Sequence, residues 1–191
     1  MSRNRLVSED EALDRAMNIF WDKGYGGTSL KDIEVATGLR PGSLYHSFSS
    51  KHGLFLKVLD HYIASVVESR ITTACGIESP EDGIRWFFHS AIDYSLQDGR
   101  ACILTNTAIE IGLANPEIAA KVRRGFELTQ DGFSNLVARV GVLSAEDAHL
   151  LATHLLTSFQ GLLVLTRVQS DRKTLESFAA VALSVLPDKK A

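Results

Sequence analysis

TGLRPGSLYHSF, residues Thr37–Phe48, is the stretch on which the reading of this chain turns. It sets Gly38, Pro41 and Gly42 close together, follows them with Leu44-Tyr45-His46, and is flanked on both sides by helix-forming sequence. Glycine tolerates the left-handed backbone of a corner, and proline suits the first position of a helix, where its missing N–H is not needed. The stretch therefore reads as a tight turn at Gly38 followed by a short helix that Pro41 starts and that reaches Tyr45 or His46. Counting about 100° per residue from Pro41 puts Leu44 and Phe48 on one side and Gly42, Ser43 and His46 on the other, with Tyr45 between. One face is to be anchored; the other is small and polar. A second short helix precedes it, capped by Thr28 or Ser29 and running through Ala36, and the pair joined by Thr37-Gly38-Leu39 has the form of a helix-turn-helix. Small residues at the leading end of the second helix let its backbone approach the major groove of DNA, where polar groups meet phosphates or base edges.

Similar punctuation organises the rest of the chain. Ser8-Glu9-Asp10-Glu11 is a capping box opening a helix that Gly24 can end, and it recurs as Ser79-Pro80-Glu81-Asp82 and Ser144-Ala145-Glu146-Asp147. Asn115-Pro116-Glu117 repeats the device of a cap followed by proline. Beyond the helix-turn-helix, the spacing predicts helices over 51–74, 80–97, 101–112, 116–139, 145–169 and 171–186. No sustained alternation marks a strand. The expectation is an all-α chain of about nine helices. Residues 1–50 would form a three-helix DNA-binding domain, and 51–191 a helical ligand-binding and dimerisation domain.

Composition narrows the function classes. A 191-residue chain with 45% hydrophobic and 23% charged residues is globular. It has no run of some 18 apolar residues and no apolar leader after Met1, so the reading is cytoplasmic, without a membrane partner. Cys75 and Cys102 stand alone, with no His or Cys at ligand spacing, so no metal and no cofactor is expected. The sequence lacks GxGxxG, P-loop, HExxH, GxSxG and CxxC motifs, and His149 and His154 do not fall on one helix face, so an enzyme is not expected. Net charge is −3, and residues 1–74 hold nine Lys/Arg against nine Asp/Glu. Any DNA-binding surface must then be a local patch. Arg3 and Arg5 precede the first helix as either a minor-groove arm or a frayed terminus.

Residues 28–55, TSLKDIEVATGLRPGSLYHSFSSKHGLF, resemble the DNA-binding segment of the TetR family of bacterial transcription repressors. The shared pattern is Thr28 at the start of helix two, Ile33, Gly38 in the turn, Leu44-Tyr45-x-x-Phe48, and Ser50-Lys51 opening helix four. Glu34 departs from it where a small Ala is usual, and His52 replaces a common acidic residue. The resemblance implies phosphate contacts from Thr28, Tyr45, His46 and Lys51, with Arg40, Pro41, Gly42 and Ser43 facing the groove. Arg40 is the candidate base reader, because a guanidinium can bond guanine O6 and N7 together.

One short recognition helix reads too few bases, so a homodimer on a pseudo-palindromic double-stranded operator is expected. The apolar segment His149–Gln169 carries the candidate dimer residues Leu151, Leu155, Phe159 and Leu162, and with Leu175–Leu186 it would form half of an intermolecular four-helix bundle, as in that family. For an unidentified small-molecule effector, the stretches 86–96, 102–112 and 126–133 mix bulky apolar with isolated polar residues. Trp86, Cys102, Asn106, Glu110 and Phe133 are the candidates, although the same composition describes any helical core. Cys102 is either a reactive thiolate beside Arg100 or a small buried hydrophobe. The chain reads as a ligand-responsive repressor released by its effector. The alternative is a helical adaptor of the same fold without specific DNA binding.

Overall fold

Ser8 accepts a hydrogen bond from the Glu11 N–H and opens α1 (Glu9–Gly27), which buries Ala12, Leu13, Ala16, Met17, Phe20 and Trp21 along one stripe. The computed structural model describes residues 7–141, 143–169 and 171–186, so Arg3 and Arg5 lie outside the described residues. Gly24, at φ +73°, breaks α1 where the sequence reading ended it, but one further turn follows to Gly27. α2 (Leu30–Thr37) begins with a complete capping box: Ser29 accepts from the Asp32 N–H, and the Asp32 carboxylate accepts from the Ser29 N–H. α3 (Pro41–Phe48) runs through Phe48 rather than stopping at Tyr45 or His46, because Phe48 is buried and holds the last turn down.

The long helix expected from residue 51 is a continuous rod with an irregular middle. α4 (Lys51–Tyr62) passes through a π-helical segment, Ile63–Glu68, into α5 (Ser69–Gly76). A π segment widens the turn and redirects the side chains after it, and such segments recur at functional sites. α6 (Pro80–Asp98), α7 (Ile103–Glu110), α8 (Pro116–Val140), α9 (Ala145–Leu165) and α10 (Arg172–Leu183) follow, with a short 3-10 turn at Gly112–Ala114 between α7 and α8. Counting the rod as one, the described residues form nine helices and no strand, the all-α architecture expected.

α1, α2 and α3 gather around the start of α4, and Phe20 and Tyr25 pack on Phe55 with ring centroids 4.8 Å away in each case. α8 pairs with α9, α6 lies against α5 and α8, and α10 closes over α6 and α9. Phe87 and Phe88 of α6, Phe133 of α8 and Phe159 of α9 form a ring cluster at the centre of this unit. Each such side chain contributes about 1.5–3 kcal/mol by leaving water. α7 is the short helix between the two units: Trp21 Nε1 of α1 donates to the Ala101 carbonyl just before it, at 2.5 Å in the core.

Candidate functional site

The turn between α2 and α3 is fixed from several sides. Gly38 takes φ +71° and its N–H bonds the Glu34 carbonyl at 2.9 Å. Thr37 Oγ1 donates to the Ile33 carbonyl and accepts from the Leu39 N–H, while Arg15 of α1 donates to the Thr37 carbonyl at 3.2 Å. From that corner α3 is held by Leu44 and Phe48, both buried. Pro41, Gly42, Ser43, Tyr45, His46 and Ser47 are all exposed, Tyr45 to 50%. The wheel drawn from the sequence thus matches the sides of α3. A Cβ built on Gly42 meets nothing within 4 Å, so packing inside the chain does not require glycine there.

Ion pairing explains how a neutral half-chain keeps a basic patch. Arg15 pairs with Glu11, Lys23 with Asp32, Lys31 with Glu34 and Lys57 with Glu9. Lys23 and Ser29 together hold the Asp32 carboxyl far below the ordinary carboxylate range. Among the described residues Arg40 and Lys51 have no acidic partner, and both stand at the α3 end of the unit. The Lys51 ammonium lies 4.5 Å from the Tyr25 ring centroid, at the N-terminus of α4, where the first turn carries no acid. Helix dipole and lysine there favour the same anion. Thr28 corrects the expectation: it is buried, and its hydroxyl donates to the Gly24 carbonyl at 2.6 Å, so this side chain does not face a phosphate. Glu34 fits because its carboxylate turns out to Lys31, and His52 bonds Glu117 at the start of α8 at 2.9 Å.

Among the cavities of the larger unit, two share a wall residue. An outer one of about 470 Å³ is bordered by Ala108, Leu113, Val122, Phe126 and Leu156. An inner one of about 40 Å³ is bordered by Trp21, Tyr62, Arg70, Cys102, Phe126 and Phe159, among others, and by Val66 and Val67 of the π segment. Phe126 belongs to both walls. Of the five effector candidates only Cys102 borders either cavity, and it is buried as the N-cap of α7. Arg100 does not activate it by pairing, because that guanidinium holds Asp22, Asp98 and Asn18. Phe133 belongs to the ring cluster, Trp86 packs partly buried on the core, and Asn106 borders an outer groove with Val164 of α9 and Val168 just beyond it.

Glu110 has a different task. Its carboxylate accepts from the Tyr25 and Gly26 N–H groups, at 2.9 and 2.5 Å, capping the turn that follows the Gly24 break. A side chain at Gly24 would meet this carboxylate at 2.7 Å. Sequence reasoning missed the pairing because the partners are separated by 85 residues. Glu110→Ala removes two charge-assisted acceptors, and a loss of about 1–2 kcal/mol in urea unfolding is expected.

The candidate dimer residues are corrected as well. Leu151, Leu155, Phe159 and Leu162 are buried inside the protomer, since they point at α6, α8 and α10. The large apolar side chains left exposed on this side are Leu150 and Val164 of α9 with Val168 just after it, and Phe178 and Val181 of α10 with Val185 just after it. By length and composition alone α9 would also qualify to cross a membrane. An inward core face and an outward apolar seam together account for that composition.

The description "Bacterial regulatory proteins, tetR family" matches residues 12–58, and "Transcriptional regulator LmrA/YxaF-like, C-terminal domain" matches residues 80–181. The uncharacterized HTH-type transcriptional regulator YezE of Bacillus subtilis is 31% identical over 97% of this chain and 100% of its own length. The HTH-type transcriptional repressor ComR of Escherichia coli is 27% identical over 97% and 92%. A cysteine mutant of the TetR family transcriptional regulator CifR, complexed with 26bp double-strand operator DNA, superposes with a TM-score of 0.81 at 29% identity, covering 97% of this chain and all of that one. With the helix-turn-helix geometry and matches to both halves, the chain belongs to the TetR family of bacterial transcriptional regulators and carries an LmrA/YxaF-like C-terminal domain.

Proposed function

We propose that this regulator is a cytoplasmic homodimeric repressor, not an enzyme, that binds a pseudo-palindromic operator and is released by a small molecule entering the cavities beside α7. The observation that carries the reading is the outer face of α3, where Arg40, Ser43, Tyr45 and His46 are exposed beside a glycine that internal packing does not require. That the related CifR is complexed with operator DNA supports DNA binding by this chain. Within it, Arg40, Pro41, Gly42 and Ser43 meet the groove, and Tyr45, His46 and Lys51 meet phosphates. We divide the chain at residue 50, where α4 leaves the recognition unit to become a wall of the effector site.

Release follows from linkage. α7 begins at the inner cavity with Ala101 and Cys102 and ends on Glu110, whose carboxylate holds the turn just ahead of α2. A molecule that shifts α7 or the π segment therefore moves α1 and α2 relative to the rod. The two recognition helices of a dimer must meet grooves roughly 34 Å apart, so a small change of spacing disfavours DNA. DNA then disfavours the effector equally, by about 1–3 kcal/mol.

The division of labour on α3 and α4 is testable with two variants. Arg40→Ala is expected to relax sequence preference, with a loss of about 1–3 kcal/mol of discrimination at one position. Lys51→Ala is expected to weaken binding to all sequences and lower the salt dependence by about one counterion. Binding isotherms on operator and scrambled duplex over a salt series distinguish them, and identical behaviour of the two would contradict the assignment.

A further inference from the structure

Two arginines border the inner cavity, and they differ in one respect. Arg100 is neutralised by Asp22 and Asp98. Arg70, on α5, has no acidic partner among the described residues: its Nη1 donates to Ser90 Oγ at 3.1 Å and more loosely to the Phe87 carbonyl, and its guanidinium carbon stands 5.8 Å from the Phe87 ring centroid. A guanidinium carries five N–H donors, and the hydrogen bonds it makes here use those of one nitrogen. Apart from Arg100, the wall around it is otherwise aromatic and aliphatic, with Tyr62, Tyr94, Ser95, Cys102, Thr129 and Gln160 as neutral polar groups. A cation placed in such a wall without a counter-charge is costly unless an anion completes the site.

Resting on the reading of these cavities as the effector site, we infer that the effector is a carboxylate with an apolar body, whose head is bound by Arg70. A carboxylate matches the planar fork of a guanidinium with two parallel hydrogen bonds, a geometry that an alcohol or amide does not offer. Tyr62, on the same wall, stays a neutral phenol: burial first, and then the neighbouring Cys102 thiol with which it hydrogen-bonds, raise it well above the ordinary value, so it adds no competing charge beside the guanidinium. Burial works in the opposite sense on Arg70, lowering its affinity for its proton, so a bound anion stabilises the charged form.

The two volumes assign the rest of the molecule. An inner space of about 40 Å³ has room for little more than the head group, whereas the outer space of about 470 Å³, whose lining also includes Arg123, Glu127, Gln130 and Asp131 but exposes mostly apolar surface, takes the body. Phe126 is common to both walls, so a molecule reaching from one to the other has to turn this ring aside. Beside it, Leu104 lies so close over Gly125 that a Cβ there would collide with it, which ties Phe126 to α7. Entry of the head group thereby acts on the helix that holds the recognition unit.

The test is calorimetric titration of the full-length dimer with 4-phenylbutanoate and with the isosteric neutral 4-phenylbutanamide. The acid is expected to bind at least about tenfold more tightly than the amide. In Arg70→Gln the acid should fall to the level of the amide, and in Arg70→Lys part of the preference should return. Equal binding of acid and amide to the unaltered protein, no binding of either, or an undiminished preference in Arg70→Gln overturns the inference. The acid–amide comparison decides the matter even if neither variant folds. Operator binding without either probe is measured in parallel and should be the same for Arg70→Gln and the unaltered protein. Loss of operator binding in both would strike the proposed function, while calorimetry alone judges the anion site.

Discussion

Val164→Glu combined with Val181→Glu is expected to give a folded monomer whose operator affinity is at least about 100-fold below that of the unaltered protein. Both valines are exposed in the protomer, Val181 to 73%, so a carboxylate at either position costs the isolated chain little. The seam they belong to, Leu150, Val164 and Val168 with Phe178, Val181 and Val185, is exposed along two adjacent helices and the turns that end them. In a two-fold bundle these side chains meet their own copies, so four carboxylates would be brought together without partners. A monomer loses the second half-site and with it the gain from tethering. Sedimentation velocity and circular dichroism check the assembly and the helix content, and a duplex titration checks the affinity. A doubly substituted protein that stays dimeric would move the interface elsewhere.

The second large effect is at Gly42. Gly42→Leu should leave the melting temperature unchanged or slightly raised, because the position is open and leucine has the better helix propensity by about 0.5–1 kcal/mol. Binding to DNA should nonetheless fall by about two orders of magnitude or more, since a leucine at the leading end of α3 holds the backbone away from the base edges. Stability and affinity moving in opposite directions identify the face as functional. If both fell together, Gly42 would be a structural glycine and the argument from open space would fail.

The helix-turn-helix was legible in the sequence because its determinants are local: the corner residue Gly38, the starter Pro41, and an anchor pair, Leu44 and Phe48, one turn apart. Nearly every later helix start was legible for the same reason, since a cap and the N–H it accepts from lie within three residues, as at Ser79 and Ser144. The site residues that depend on tertiary packing were not. Thr28 reads as an exposed polar residue until the break at Gly24 turns its hydroxyl inward. The α9 leucines read as a dimer face because a helix that is apolar nearly all round does not reveal which side its own protomer covers. Glu110 and Arg70 carry no local signal at all. Their roles arise from partners, or a missing partner, contributed by distant helices.

Residues 1–74, formally neutral, also show why net charge misleads at this scale. Four of their basic side chains are spent on acids within the unit, and what remains for DNA is decided by which cations stay unpaired at the α3 end. Arg40 and Lys51 are such cations. A count by sequence cannot make that distinction, because pairing is a property of the packed helices.

Selection from a random pool of duplex DNA by the purified protein tests the central claim most directly. The account predicts recovery of one inverted repeat whose half-site centres lie about one helical turn or a whole multiple of it apart, bound with a steep salt dependence. Recovery of no sequence over scrambled competitor at any salt concentration would contradict it.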